Sequence, residues 1–206
     1  MRRQLIPSVS MVVLFTALLG LGYPLAMTGV GQVLFEDKAD GQLIEVDGEL
    51  VGSRLIGQAF TEPRYFHPRP SATGYTPGPG YAYGSNEGPT SERFLYGEDD
   101  PETPDVDESA TTGVDDRVRA YREENGLADD AAVPVDAVTG SGSSLDPAIS
   151  VANARIQATR VAAARGLPVD QVQGLVDDHT EGRPLAVLGE PGVNVLELNL
   201  ALDALG

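Results

Sequence analysis

The first pattern along the chain is an uninterrupted apolar stretch. No charged residue occurs from Gln4 to Phe35. The apolar heart, Val9 to Met27, would span about 28 Å as a helix, the thickness of a bilayer's hydrocarbon core. Arg2 and Arg3 precede the stretch, and Glu36 and Asp37 follow it. That bias predicts one membrane helix with its N-terminus in the cytoplasm and the remaining chain outside. A cleaved signal peptide is the competing reading, but its apolar region is shorter and ends at an A-x-A-like site; Ala26-Met27-Thr28 fits that poorly. Thr16 with Gly20, and Gly22 with Ala26, are small-xxx-small pairs that let a second helix approach, though glycine is common in membrane helices anyway. Pro24 predicts a kink near the outer end.

Beyond Glu36 the pattern becomes that of a folded domain. Leu43-Ile44-Glu45-Val46 and Glu49-Leu50-Val51 flank Asp47-Gly48, which predicts a hairpin. From Pro63 to Pro89, Gly, Pro and Tyr dominate and regular structure is not expected. Glu98 to Glu108 holds seven acids with Pro101 and Pro104, which predicts a solvated loop. A calcium loop is the alternative, but the EF-hand order of acids and its central Gly are missing. Val114 to Asn125 reads as an amphipathic helix on Val114, Val118 and Tyr121, stopped by Gly126. Asp146-Pro147 reads as the start of a helix carrying Ile149, Ala152, Ile156 and Val161 to Gly166. Pro168 to His179 predicts another helix and Leu185 to Leu188 a short strand, while Val193 to Leu202 alternates partly like a strand but places Val195, Leu198 and Leu202 on one helical face, which favours a helix capped by Asn194. No internal repeat is visible. The expected class is α/β of the α+β kind: an anchor at 1–35 and one extracytoplasmic domain at 36–206, with a Gly/Pro-rich and acidic loop region at 72–112.

Composition narrows the chemistry. Fourteen Lys and Arg against 31 Asp and Glu give a formal net charge of −17, which excludes a general nucleic-acid binder. Cysteine is absent and only His67 and His179 occur, so thiolate chemistry and a multi-histidine metal centre are excluded. Lys38 is the one lysine. An acidic, lysine-poor surface fits a halophilic source, or a surface that concentrates cations near a partner. No phosphate loop or dinucleotide fingerprint is present. Thr139-Gly140-Ser141-Gly142-Ser143-Ser144 does not fit G-x-S-x-G; it reads as a tight turn or as an anion cradle leading into the Asp146 helix. His179-Thr180-Glu181-Gly182-Arg183 reads either as an acid/base centre or as a helix end with ion pairs. A Ser143, His179 and Asp178 set is possible only if the fold assembles it.

An ordered set of short motifs then identifies a family. It includes Tyr23-Pro24-Leu25, Leu55-Ile56-Gly57-Gln58, Tyr65-Phe66, Arg69-Pro70-Ser71-Ala72, Gly84-Ser85-Asn86 and Pro134-Val135-Asp136. It continues through Ser141-Gly142-Ser143, Leu145-Asp146-Pro147, Arg160-Val161-Ala162, His179-Thr180-Glu181-Gly182-Arg183, Leu188-Gly189-Glu190-Pro191 and Val193-Asn194-Val195 to Leu198-Asn199-Leu200. The chain resembles KdpC, the C subunit of the Kdp-type potassium-transporting ATPase. Ala148 and Gly192 depart from the family's usual His and Arg at those positions, and Thr73–Tyr83 and the acidic run resemble lineage-specific insertions.

The resemblance implies a non-catalytic, single-pass cell-membrane subunit that assembles and stabilises a pump. It implies as partners a channel-like potassium-translocating subunit, a P-type ATPase subunit, a small single-span subunit and membrane lipid. ATP, Mg and K+ would be used by the complex, with no cofactor or metal assigned to this chain. The family is also credited with raising the pump's apparent ATP affinity, while an influence on K+ entry is the expectation from the acidic charge of the outer domain. The residues it singles out are Gln58, Arg69, Ser71, Ser141, Ser143, Asp146, His179, Thr180, Glu181, Arg183, Glu190, Asn194 and Asn199. The rival class is a membrane-anchored extracytoplasmic hydrolase or ligand-binding domain using His179, Glu181 and Arg183.

Overall fold

The structure, a computed structural model, describes residues 2–75, 84–85, 88, 95 and 113–205. The acidic run from Glu98 to Glu108 and most of the 72–112 region lie outside the described residues. The chain divides into two compact units, Met1–Ser53 and Arg54–Gly206.

The first unit opens with a long helix built from α1 (Arg2–Ala17), a π turn (Leu18–Gly22) and α2 (Tyr23–Leu34). It is long and apolar enough to cross a membrane, with 32 residues from Arg3 to Leu34. Pro24 explains the π turn. Proline has no N–H to give to the carbonyl four residues back, and its ring crowds that carbonyl. The preceding turn widens instead, and the Tyr23 N–H donates to Leu18 O, five residues back. A one-turn helix, α3 (Glu36–Ala39), follows, then β1 (Leu43–Val46) and β2 (Glu49–Ser53). The hairpin turn has φ of 54° at Asp47 and 81° at Gly48, the conformation Asp-Gly sequences supply at low cost. The antiparallel register shifts between Ile44 and Glu45.

The second unit holds α4 (Val114–Glu124), α5 (Val135–Val138), β3 (Ala148–Ser150), α6 (Val151–Arg165), α7 (Val169–Asp178), β4 (Thr180–Glu181), β5 (Gly192–Asn194) and α8 (Val195–Asp203). A 3-10 turn, Pro184–Ala186, lies between β4 and β5. The sheet order is β3-β5-β4, with β5 antiparallel to both neighbours. Its core joins Phe66, Ile149 and Val193 to Ala158 and Val161 of α6, Val172 and Val176 of α7, and Leu198 and Leu202 of α8.

Three expectations are corrected here. Asp146 does not start a helix. Its Oδ1 accepts from the Ala148 N–H at 3.0 Å, and Ala148–Ser150 pair with β5. The helix starts at Ser150, whose Oγ accepts from the Asn153 N–H. Strand pairing thus overrides the Asp-Pro signal, and α6 buries Ala154, Ala158, Val161 and Ala162, while Ala152 is exposed. Leu185–Leu188 is no strand, because Leu185 and Ala186 have left-handed φ of 54° and 63°, which extended pairing cannot use. Val193 and Asn194 belong to β5, so the last helix begins one residue after its cap; Asn194 Oδ1 does accept from the Glu197 N–H.

The segment from Pro63 to Pro70 has no strand partner, yet Phe66 is fully buried within it. Buried peptide groups must still be satisfied. Asn199 does this for Phe66: its Oδ1 accepts from the N–H at 2.8 Å and its Nδ2 donates to the C=O at 3.0 Å. Gln157 treats His67 identically, at 2.7 and 3.1 Å. Arg160 donates to Pro63 O and Tyr65 O, and Arg165 to Arg64 O. Side chains of α6 and α8 therefore play the part of a neighbouring strand. The Gln157 amide also donates to Asn153 Oδ1, which accepts from the Tyr121 hydroxyl of α4 at 2.8 Å. Asn153 in turn donates to Asp136, which also accepts from the Ser150 N–H and hydroxyl. His67 Nδ1 lies 2.8 Å from Glu124 Oε1, and Arg160 lies nearby. Burial alone would raise the Glu124 carboxyl, but the His67 hydrogen bond and the charges of His67 and Arg160 outweigh it and hold the group below 4.5.

Two outcomes follow. Asn199→Leu keeps the volume but strands both Phe66 backbone groups, and should cost about 2–4 kcal/mol in urea unfolding of the full chain in detergent. A Glu124 carboxyl held low in the folded state stabilises it above its unfolded pKa, and that contribution disappears as pH falls through the folded value. The urea midpoint should therefore drop below about pH 4.5 more steeply in the native chain than in Glu124→Gln.

Candidate functional site

Part of the family-type set gathers around Arg69. Its Nη1 donates to Asp146 Oδ2 at 2.8 Å, and its Nη2 donates to Gly140 O at 3.1 Å. Longer contacts of 3.4 Å reach Thr139 O from Nε and Nη2. One guanidinium thus fastens the chain after Phe66 to both ends of the Thr139–Asp146 turn. Ser71 strengthens the joint, its Oγ donating to Ser144 O at 2.7 Å. Ser144 takes φ of 60° within the turn, and its own hydroxyl is buried without a partner among the described residues.

Tyr75 covers this cluster. Its hydroxyl donates to Arg69 O at 3.0 Å and approaches Asp146 O at 3.4 Å. Burial, together with the Asp146 charge and against the Arg69 charge, pushes its phenol up to about 12. Gly57 sits beneath it, donating its N–H to Leu145 O at 2.9 Å. A Cβ on Gly57 would fall 2.5 Å from the Tyr75 ring and 2.8 Å from Asp146 O, so this close approach requires glycine. Gln58 follows Gly57 directly and is half-buried.

Ser141 and Ser143 lie inside the turn with their hydroxyls 3.2 Å apart, and Ser143 Oγ accepts from the Leu145 N–H. The segment is a turn leading into a strand; there is no helix N-terminus at Asp146 for an anion cradle to use. Its carbonyls at Thr139, Gly140 and Ser144 all accept hydrogen bonds, the first two from the Arg69 guanidinium, which also holds Asp146, and the third from the Ser71 hydroxyl.

The remaining candidates lie elsewhere in the unit. His179 caps the end of α7, with Nδ1 donating to Leu175 O at 2.9 Å. Thr180 Oγ1 donates to Val176 O at 2.7 Å. Glu181 pairs with Arg54, which also reaches Glu197 at 3.1 Å. Arg183 pairs with Glu190 across the 3-10 turn. His179, Glu181 and Arg183 therefore engage three separate partners and form a helix end with flanking ion pairs. Ser143 and His179 are likewise each bonded within their own segment. Asn194 caps α8 and donates to Arg54 O at 2.8 Å, while Asn199 holds Phe66. Among the described residues, no group of three or more His, Cys, Asp or Glu could hold a metal ion.

Tyr75, Gly57, Gln157, Asn153 and Asp136 were not singled out as site candidates. Their signal was weak because one polar residue in a helix or loop looks the same whether it faces water or a buried peptide group. In the first unit, a Cβ on Gly20 would meet only Thr16 of its own helix, at 3.9 Å, and one on Gly22 only the Ala17 carbonyl at 3.6 Å. Thr16, Gly20, Gly22 and Ala26 lie on the exposed span.

The chain matches the family model for KdpC, described as the K+-transporting ATPase c chain, over residues 5–204. It is 53% identical over 205 residues to a potassium-transporting ATPase KdpC subunit of Mycobacterium tuberculosis, covering 100% of both chains. The corresponding subunit of Koribacter versatilis is 47% identical over 203 residues, covering 98% of this chain and 95% of that one. That of Methylococcus capsulatus is 46% identical over 200 residues, covering 97% and 96%. Matched from end to end by sequence and carrying the span-length helix, the chain belongs to the KdpC family, the c chain of the K+-transporting ATPase.

Proposed function

We propose that this chain is the membrane-anchored assembly subunit of a potassium-transporting ATPase. In this reading it holds a channel-like, potassium-translocating subunit and an ATP-hydrolysing P-type subunit together, alongside a small single-span subunit. The observation that carries the reading is a full-length match to potassium-transporting ATPase KdpC subunits, combined with a body whose described arginines are each tied to a carboxylate or a backbone carbonyl. Such a body offers shape and surface to a partner, and the acid/base work of ATP hydrolysis falls to another polypeptide.

Arg2 and Arg3 before the span, and Glu36 and Asp37 after it, orient the helix with its N-terminus in the cytoplasm. Residues 36–206 then lie outside the cytoplasm. On that topology they lie across the membrane from cytoplasmic ATP, so they are assigned no contact with the nucleotide.

Deleting this chain should scatter the other subunits on detergent extraction and abolish K+-stimulated ATPase activity. A pump that assembles and turns over normally without it would remove the assembly role. Topology has its own test, because the chain lacks cysteine. A single Ala128→Cys substitution should react with a membrane-impermeant maleimide in intact cells; reaction only after lysis would reverse the orientation.

A further inference from the structure

Pro24 removes one backbone donor from the middle of the long helix, so a carbonyl there goes without its partner. The π turn decides which. The Tyr23 N–H, which in a regular helix would serve Leu19 O, donates to Leu18 O. The donor five residues on from Leu19 would be that of residue 24, and proline has none. Within this turn the Leu19 carbonyl is thereby left without a backbone N–H. A Ser or Thr three or four residues on could return a hydroxyl to it. Those positions hold Gly22 and Tyr23, and a tyrosine hydroxyl stands a ring's length away from its own helix.

Depth and access give this carbonyl its meaning. Leu19 is one residue past the midpoint of the Val9–Met27 stretch, about 12 Å from one end and about 15 Å from the other at the helical rise. For a spanning helix that is deep hydrocarbon, where water is excluded and lipid tails donate nothing, so an unsatisfied peptide group is costly. Gly20 and Gly22 flank it. A Cβ on Gly20 would meet only Thr16 Cγ2 at 3.9 Å, and one on Gly22 only the Ala17 carbonyl at 3.6 Å, so neither side is screened from an approaching helix.

We propose that the Leu19 carbonyl is a docking point at mid-membrane depth for a helix of another subunit of the potassium-transporting ATPase, one that presents an uncharged hydrogen-bond donor, Ser, Thr, Asn or Gln. This rests on the assembly reading above and names an atom through which the anchor serves it. A neutral donor fits because Lys or Arg at that depth carries a far larger desolvation cost. The glycines let two helix backbones come close enough for such a side chain to reach a carbonyl. A second copy of this chain fits less well. Parallel spans would bring together two outer parts that each hold 12 basic and 31 acidic residues in 36–206, which repel. The chain also has no Asn or Gln between Gln4 and Gln32, and its nearest Ser or Thr to Leu19 is Thr16, whose hydroxyl is within reach of a carbonyl four residues back in its own helix.

The test uses the full chain co-expressed with the other subunits. Pro24→Ala restores the missing N–H, lets the turn close as a regular helix and so occupies the free carbonyl; because it takes out a helix breaker, the span folds at least as well. Retention of the other subunits in detergent should fall about three- to tenfold. Gly20→Leu leaves Pro24 in place but screens the carbonyl, and should lower retention by a similar factor. Leu21→Phe, on the opposite side of the helix from Leu19, should not. Normal retention in either Pro24→Ala or Gly20→Leu, or an equal loss in Leu21→Phe, would overturn the proposal. A photo-reactive phenylalanine analogue in place of Thr16, one turn before Gly20 on its face, should yield an adduct of this chain with one other pump subunit. Adducts with lipid alone, or with a second copy of this chain, would overturn it. In each of those cases the assembly role stands as long as deletion of the chain still scatters the complex; if deletion has no effect, the assembly reading itself fails.

Discussion

The second unit depends on satisfying one extended segment that has no strand beside it. Phe66 has to be buried for the core to close, and burying it takes its peptide groups and those of His67 out of water. Left unpaired, each such group would cost about 1–3 kcal/mol, a sizeable part of a domain's net stability. Asn199 and Gln157 remove that cost by presenting an amide, the same donor and acceptor pair a neighbouring strand would offer. Because the amides belong to α8 and α6, the segment cannot be placed without those helices, nor the helices packed without the segment. Gln157 carries the constraint further, through Asn153 to the Tyr121 hydroxyl of α4 and to Asp136.

The Arg69 cluster extends the same logic. The chain leaving Phe66 and His67 enters the Arg69 guanidinium, which fixes it to Asp146 and to the carbonyls at Thr139 and Gly140. Asp146 is thereby occupied on one oxygen by Arg69 and on the other by the Ala148 N–H. That is why it behaves as a hinge into β3 and not as a helix cap. Gly57 and Tyr75 close over the joint, and the tightness of that closure is the physical reason for a glycine there.

Much of the fold was legible in the sequence wherever local chemistry decides the outcome. The apolar run gave the span-length helix, Asp47-Gly48 the hairpin turn, Val169 to Asp178 the helix α7, and Asn194 the cap of α8. Legibility failed where a distant residue outbids a local one. Asp146-Pro147 is a good helix start in isolation, but Arg69 lies 77 residues away and β5 follows later still. Leu185 to Leu188 has the composition of a strand, and only the backbone reveals two left-handed residues. The motif residues were found by family resemblance, yet their roles were not readable. Asn199 shows this most clearly: an asparagine in an amphipathic helix reads as a surface residue until Phe66 is seen against it.

The pairing of the arginines in the second unit bears directly on what kind of protein this is. Every described arginine there is committed to a carboxylate or a backbone carbonyl, among them Arg117 to Val138 O and Arg122 to Ala131 O. His67 is held between Glu124 and Glu62 O, and His179 donates to its own helix. A catalytic centre keeps a reactive group poised toward substrate, with its pKa tuned for proton transfer. Here the shifted groups, Tyr75, Tyr121, Glu124 and Arg160, sit within the packing of the unit, where their shifts record burial and pairing. The polar chemistry is spent on holding a loop-rich body in one shape. What such a body can offer a larger machine is a surface of fixed shape.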